Sequence, residues 1–203
     1  IEIDKIIYSY GEPLADTSII PTYFLSKYAK DEVKVCLTGD GGDEMFFGYD
    51  TYIASYLYMI FTKFKFDYFF KKLKNFKNLI PQNKSKVNNM YALRKFIETF
   101  SENKNGFMVH ELWRKINSES SLKKILSENF YDKIQNISTN YFVPSSNIEN
   151  FNAKNNLCDF KFFLEKDVLV KSDRSSMANS LELRSPFLNI KILEYLSKLS
   201  FEE

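Results

Sequence analysis

The chain has 203 residues, a hydrophobic fraction of 44% and a formal net charge of +2. That is apolar enough for a core, and too near neutral to point to nucleic acid or a membrane surface. No run of about 18 apolar residues exists to span a bilayer. The two cysteines, Cys36 and Cys158, lack any framework spacing and fit a reducing compartment such as the cytoplasm. No secretory leader is visible, and the chain opens on Ile1 rather than Met, so a piece of a longer polypeptide is expected.

In chain order, Ile1, Ile3, Ile6, Ile7 and Tyr10 predict a short helix over 1–10, stopped by Gly11-Glu12-Pro13. Asp16, Thr17 and Ser18 offer caps for a second helix, with Pro21 tolerated in its first turn. Ile20, Phe24 and Tyr28 recur every four residues and predict its buried stripe. Val33-Lys34-Val35-Cys36-Leu37 predicts a buried strand, central in a sheet. Helix, strand, loop, helix in that order implies a parallel α/β layer.

The loop after that strand carries four of the chain's six glycines within ten residues, Gly39, Gly41, Gly42 and Gly48, interleaved with Asp40, Asp43 and Glu44. Glycines at a strand's carboxyl end let the backbone approach a ligand and aim N–H groups at it. Carboxylates repel phosphate, so they belong there only with a cation between or as a base. The plain alternative is a surface turn with Asp43 capping the next helix.

Beyond Tyr49 the pattern is helical, with helices expected over 50–62, 90–101, 108–117, 119–136 and 157–171 and polar loops at 81–89 and 138–156. Residues 63–86 carry eight lysines against one acid, Asp67, with phenylalanines interleaved. Basic plus aromatic residues can bind single strands of nucleic acid. Helical spacing of the phenylalanines favours an amphipathic helix pair instead. His110, the sole histidine, has no zinc-site spacing and reads as a surface or core residue rather than a catalyst, and Trp113 as a core residue. Between 164 and 188, Lys171, Asp173, Arg174, Glu182 and Arg184 sit among apolar residues and are expected to be buried and paired. They either brace a helix or face phosphate or carboxylate at a site's rim.

Pro13 and Asp16, then Leu37 through Tyr49, then Lys171 through Leu188, follow in order. Together they resemble the synthetase domain of glutamine-hydrolysing asparagine synthetases. The first long motif resembles Leu-Ser-Gly-(Asp/Glu)-Gly-x-Asp-Glu-x-Phe-Gly-Gly-Tyr. The second resembles Lys-x-Asp-Arg-x-Ser-Met-Ala-x-Ser-Leu-Glu-x-Arg-x-Pro-Phe-Leu-Asp. The match covers 1–55 and 157–200; 56–156 is family-like only in being helical and variable. Phe47 stands where the family has glycine, and Asn189, expected at a helix cap, where it has an acid.

The resemblance implies a partial adenine-nucleotide α-hydrolase sheet layer (1–55), a helical remainder (56–156) and a returning helical segment (157–203). It implies ATP and Mg2+. An aspartate acyl-adenylate would form and be attacked by ammonia that an N-terminal glutaminase domain draws from glutamine. Asp40 would be the base, or help organise the intermediate. Asp43 would meet the pyrophosphate and magnesium, and Thr38, Gly39, Gly41 and Gly42 would line the nucleotide. Lys171 and Arg184 are the further candidate catalytic residues. The family's Ser-Gly-Gly-x-Asp-Ser loop is not in this sequence and would lie upstream, and a downstream lysine segment would lie beyond Glu203. The fragment alone is therefore expected to be inactive. Amidation of another carboxylate, or a nucleic-acid-binding helical domain, are the competing readings. No membrane or nucleic-acid partner is expected, and a homodimer is compatible with the chain.

Overall fold

The computed structural model describes residues 2–13, 16–66, 72, 89–101, 106–114, 119–141 and 151–199. It divides into two compact units: Ile1–Gly48 with Asn156–Glu203, and Tyr49–Asn155.

In the first unit, α1 (Glu2–Tyr10) ends at Gly11, whose φ of +77° suits glycine and stops the helix. The following helix, α2 (Ile19–Ala29), starts where the capping residues lie. The Asp16 carboxylate accepts the Ser18 amide at 2.9 Å and its hydroxyl at 2.8 Å, satisfying an amide ahead of the first turn. β1 (Val35–Leu37) pairs in parallel with β2 (Glu182–Arg184), Cys36 opposite Leu183. The sheet among the described residues has these two strands. α3 (Gly42–Met45) follows the glycine loop.

The expected burial needs correction in two places. Leu37 is 73% exposed and Val35 40%, because β1 has one sheet neighbour among the described residues and little laid over its faces. Ile20, Phe24 and Tyr28 are likewise exposed. α2 buries Tyr23 and Ser26 instead, because the helix it packs against, α10 (Leu169–Met177), presents small side chains. Ser172, Ser175 and Ser176 are buried there, and small residues let two backbones approach closely. Asn179 ties them, its Nδ2 donating to the Tyr23 carbonyl at 3.2 Å and the Ser175 carbonyl at 3.0 Å. Among the described residues Ile6, Tyr10, Met45, Cys158, Leu164 and Leu181 are this unit's other buried apolar side chains.

The second unit contains α4 (Asp50–Lys63), α5 (Asn89–Ser101), α6 (Gly106–Arg114), α7 (Glu119–Ile125) and α8 (Glu128–Tyr141). The helix expected over 119–136 is two. Tyr58 and Val109 form a core cluster with Phe61, Phe96 and Trp113, the last two rings stacked at 5.6 Å. His110 is buried, its Nδ1 3.0 Å from the Ser55 hydroxyl and its ring stacked on Tyr52, a structural setting as expected. The loop expected at 138–156 is helical to Tyr141 and again from Phe151. Most of the basic-aromatic segment 63–86 and of the loop at 81–89 lies outside the described residues.

The return is one unbroken helical run: α9 (Phe151–Cys158), a π-helix (Asp159–Val168), then α10. A π-wind of ten residues is rare. Its last link is the Leu169 amide bonded to the Leu164 carbonyl, five residues back. After β2, Pro186–Leu188 forms a 3₁₀ turn and α11 (Ile190–Leu196) begins at Asn189, whose side chain accepts the Lys191 amide at 2.9 Å. The asparagine does the capping work expected of it. Among the described residues no helix is long and apolar enough to cross a membrane.

Candidate active site

The two sequence motifs meet at the carboxyl end of the sheet. Parallel pairing continues one residue past β1, where the Thr38 amide donates to the Arg184 carbonyl at 2.9 Å. The Thr38 hydroxyl then donates to Asp40 Oδ2 at 3.1 Å and lies 3.0 Å from the Ser185 hydroxyl. Gly39 and Gly42 close a turn at 3.0 Å. Gly41 has φ +86°, and a Cβ there would fall 2.2 Å from Leu188 Cδ2. Glycine suits the left-handed backbone, and any larger residue would have to displace Leu188. Phe187 packs beside Gly42 and meets Phe46 edge to face at 5.7 Å.

Gly41, not Asp43, is the N-cap of α3 and makes no side-chain cap, so the capping role weighed for Asp43 is not the one it plays. The Asp43 side chain folds toward Gly48, where an added Cβ would lie 2.2 Å from its Oδ1. The Asp43 carbonyl accepts the Gly48 amide at 2.8 Å. Between them Phe47 has φ +54°, the left-handed region. A glycine is the natural occupant, which gives the family glycine at this position a backbone reason. Beside Asp43, Glu44 is buried, and Asn156 of the returning helix donates to its carbonyl at 2.6 Å.

Lys171 comes from α10 and donates to Asp16 Oδ2 at 2.9 Å, both partly buried. Burial pushes the Asp16 carboxyl up, but the bonds from Lys171 and Ser18 outweigh it and hold the group below the ordinary carboxylate range. Asp167 is pushed up, by burial first and then by the Asp16 charge, with Lys171 opposing. Arg174 lies 4.8 Å over the Tyr10 ring and 3.3 Å from Glu12. Burial first, then the Asp167 charge, raise the Tyr10 phenol, with the Arg174 charge opposing.

The expected burial of the second motif's charges holds only in part. Asp173, Glu182 and Arg184 are exposed. Side chains alternate along β2, so Glu182 and Arg184 share a face away from the half-buried Leu183, and pair there at 2.7 Å. The structure thus gathers Thr38, Asp40 and Ser185, sets Asp43 on the same loop, pairs Lys171 with Asp16, and leaves the Arg184 side chain on the open face. Ser185 escapes sequence reasoning because it fills an unspecified position of its motif. Its only signal is the parallel register, which brings it beside Thr38. The π-helix also gives no pattern, since apolar spacing does not report i→i+5 bonding.

A strand, a glycine-rich loop and a short helix, with carboxylates at the carboxyl end of a two-stranded parallel pair, are compatible with an α/β fold. The family model for asparagine synthase matches residues 1–203, and the chain belongs to that family. It is 30% identical over 204 residues to asparagine synthetase [glutamine-hydrolyzing] 1 of Bacillus subtilis, covering 99% of this chain and 30% of that protein. It is 28% identical over 199 residues to a putative asparagine synthetase [glutamine-hydrolyzing] of Mycobacterium bovis, covering 97% of this chain and 29% of that protein. A 54-residue stretch is 50% identical to putative asparagine synthetase [glutamine-hydrolyzing] 2 of Methanocaldococcus jannaschii, covering 27% of this chain and 10% of that protein. The chain thus spans under a third of the length of the first two relatives. No solved structure gives a match.

Proposed function

We infer that the chain is part of the synthetase domain of an ATP-dependent amide-forming ligase, on an adenine-nucleotide α-hydrolase sheet, that converts aspartate to asparagine. The observation that carries this reading is the hydrogen-bonded chain from Ser185 through Thr38 to Asp40, which joins the two motifs. An aspartate carboxylate oxygen attacks the α-phosphorus of ATP, the bond to the β-phosphate bridge breaks, and pyrophosphate leaves. Ammonia then attacks the acyl carbon, the C–O bond to AMP breaks, and a proton passes from nitrogen to Asp40. Thr38, Gly39, Gly41 and Gly42 give the backbone that lines the nucleotide.

Asp43 is the residue that would meet magnesium. Among the described residues no group of three or more His, Cys, Asp or Glu is placed to hold a metal alone. Magnesium in phosphoryl sites is held by one or two carboxylates plus substrate phosphates, and the exposed Asp43 suits that part. When bound, magnesium neutralises charge on the leaving pyrophosphate. Lys171 and Arg184 are the further residues assigned to catalysis, Lys171 held by its ion pair with Asp16 and Arg184 by its pair with Glu182. Ammonia reaches the site from a glutaminase domain N-terminal to this segment. Cys36 and Cys158, without framework spacing, favour a reducing compartment such as the cytoplasm.

The test is aspartate-dependent pyrophosphate release by the protein in its full encoded length. Asp43→Ala, with folding checked by circular dichroism, should abolish release; unchanged release counts against the reading. Aspartate should also outperform other carboxylates as acceptor.

A further inference from the structure

Asp40 sits between two glycines, on a loop that by itself would leave its carboxylate free to rotate. A base must nevertheless be held in one direction to take a proton efficiently. The polarity of the hydroxyls around it follows from their proton count. A hydroxyl carries one proton, and the Thr38 proton goes to an ionised carboxylate, the stronger acceptor. Thr38 can then only accept from Ser185, 3.0 Å away. The direction is therefore Ser185 to Thr38 to Asp40 Oδ2.

Both hydroxyls are mounted on the sheet rather than on the glycine loop. Thr38 is fixed by its amide on the Arg184 carbonyl, and Ser185 follows Arg184 in extended conformation, φ −108° and ψ 91°. We propose that Ser185 and Thr38 are positioning residues that hold Asp40 Oδ2 from the sheet and leave Oδ1 to receive the amine proton. The assignment of Oδ1 rests on the reading of Asp40 as the base; the hydroxyl chain itself does not.

Four variants of the full-length protein test it: Thr38→Val, Thr38→Ser, Ser185→Ala and Ser185→Thr. Amide formation from ammonium and aspartate-dependent exchange of pyrophosphate into ATP are measured side by side. Thr38→Val should lower kcat for amide formation about tenfold, the rate equivalent of one lost hydrogen bond to a charged group. Exchange, which reports adenylation alone, should fall far less. Thr38→Ser should recover most of the loss. Ser185→Ala should lower kcat about threefold, for one neutral hydrogen bond, and Ser185→Thr should recover it. Thr38→Val and Thr38→Ser behaving alike, or exchange falling in step with amide formation, overturns the proposal. Crystal structures provide a readout independent of activity: the Asp40 carboxylate should leave its rotamer in Thr38→Val and keep it in Thr38→Ser. That response in a protein without exchange activity overturns the reaction and keeps the relay. An unmoved Asp40 in Thr38→Val overturns the relay whatever the activity.

Discussion

Gly41→Ala tests whether the two motifs touch as described. An added methyl meets two penalties. The residue has φ +86°, and a left-handed L-residue costs about 1–2 kcal/mol. The methyl would also lie 2.2 Å from Leu188 Cδ2 and 2.9 Å from Cγ. Leucine is flexible enough to give way, at the cost of an off-rotamer side chain, about 0.5–1.5 kcal/mol. Together the substitution should destabilise by about 1.5–3.5 kcal/mol, lowering Tm by roughly 3–14 °C for a chain of this size. Leu188→Ala removes the second penalty and leaves the first. A double-mutant cycle in urea, followed by circular dichroism, should therefore give a coupling of about 0.5–1.5 kcal/mol, with the double variant more stable than the singles add up to. Additive singles, or a Gly41→Ala protein as stable as the parent, would refute the contact.

Phe47 occupies left-handed backbone, so Phe47→Gly should exceed Phe47→Ala in stability by about 1–2 kcal/mol, although both lose the ring; the reverse order in urea denaturation would remove the backbone argument. The lowered Asp16 carboxyl adds stability that is complete above its ordinary pKa of about 3.9 and is lost as pH falls below that, through the lower folded value. Lys171→Met should accordingly cost most at pH 7 and progressively less toward pH 3, read as Tm against pH. Asp167 is raised, so its charge works against the fold at neutral pH; Asp167→Asn should raise Tm at pH 7 and lose that effect near pH 3. The Arg184–Glu182 pair is exposed, and Arg184→Gln should change stability by no more than about 1 kcal/mol while raising KM for ATP.

Much of the local fold is legible in the sequence because its signals are local. Gly11 stops α1, Pro21 marks the first turn of α2, and Asn189 caps α11. What fails is which helix face is buried. Ile20, Phe24 and Tyr28 make a helical stripe, yet spacing names no partner, and α10 offers serines to the opposite side. Burial there follows from close backbone approach, which hydrophobicity does not encode. Strand 35–37 reads as central from its apolarity, while its exposure depends on neighbours that a local pattern does not include. The site is half legible. The glycines and acids of residues 39–43 announce themselves, whereas Ser185 becomes visible only through the pairing of β1 with β2.

The proposed carboxylate activation at this sheet edge proceeds through an adenylate, with Asp40 and Asp43 assigned to the two halves of the reaction. Aspartate labelled with 18O in its side-chain carboxylate tests it most directly, because the oxygen that attacks the α-phosphorus must leave with AMP. Mass spectrometry should find one label in AMP for each amide formed. Label in inorganic phosphate, with ADP as the nucleotide product, would contradict the account.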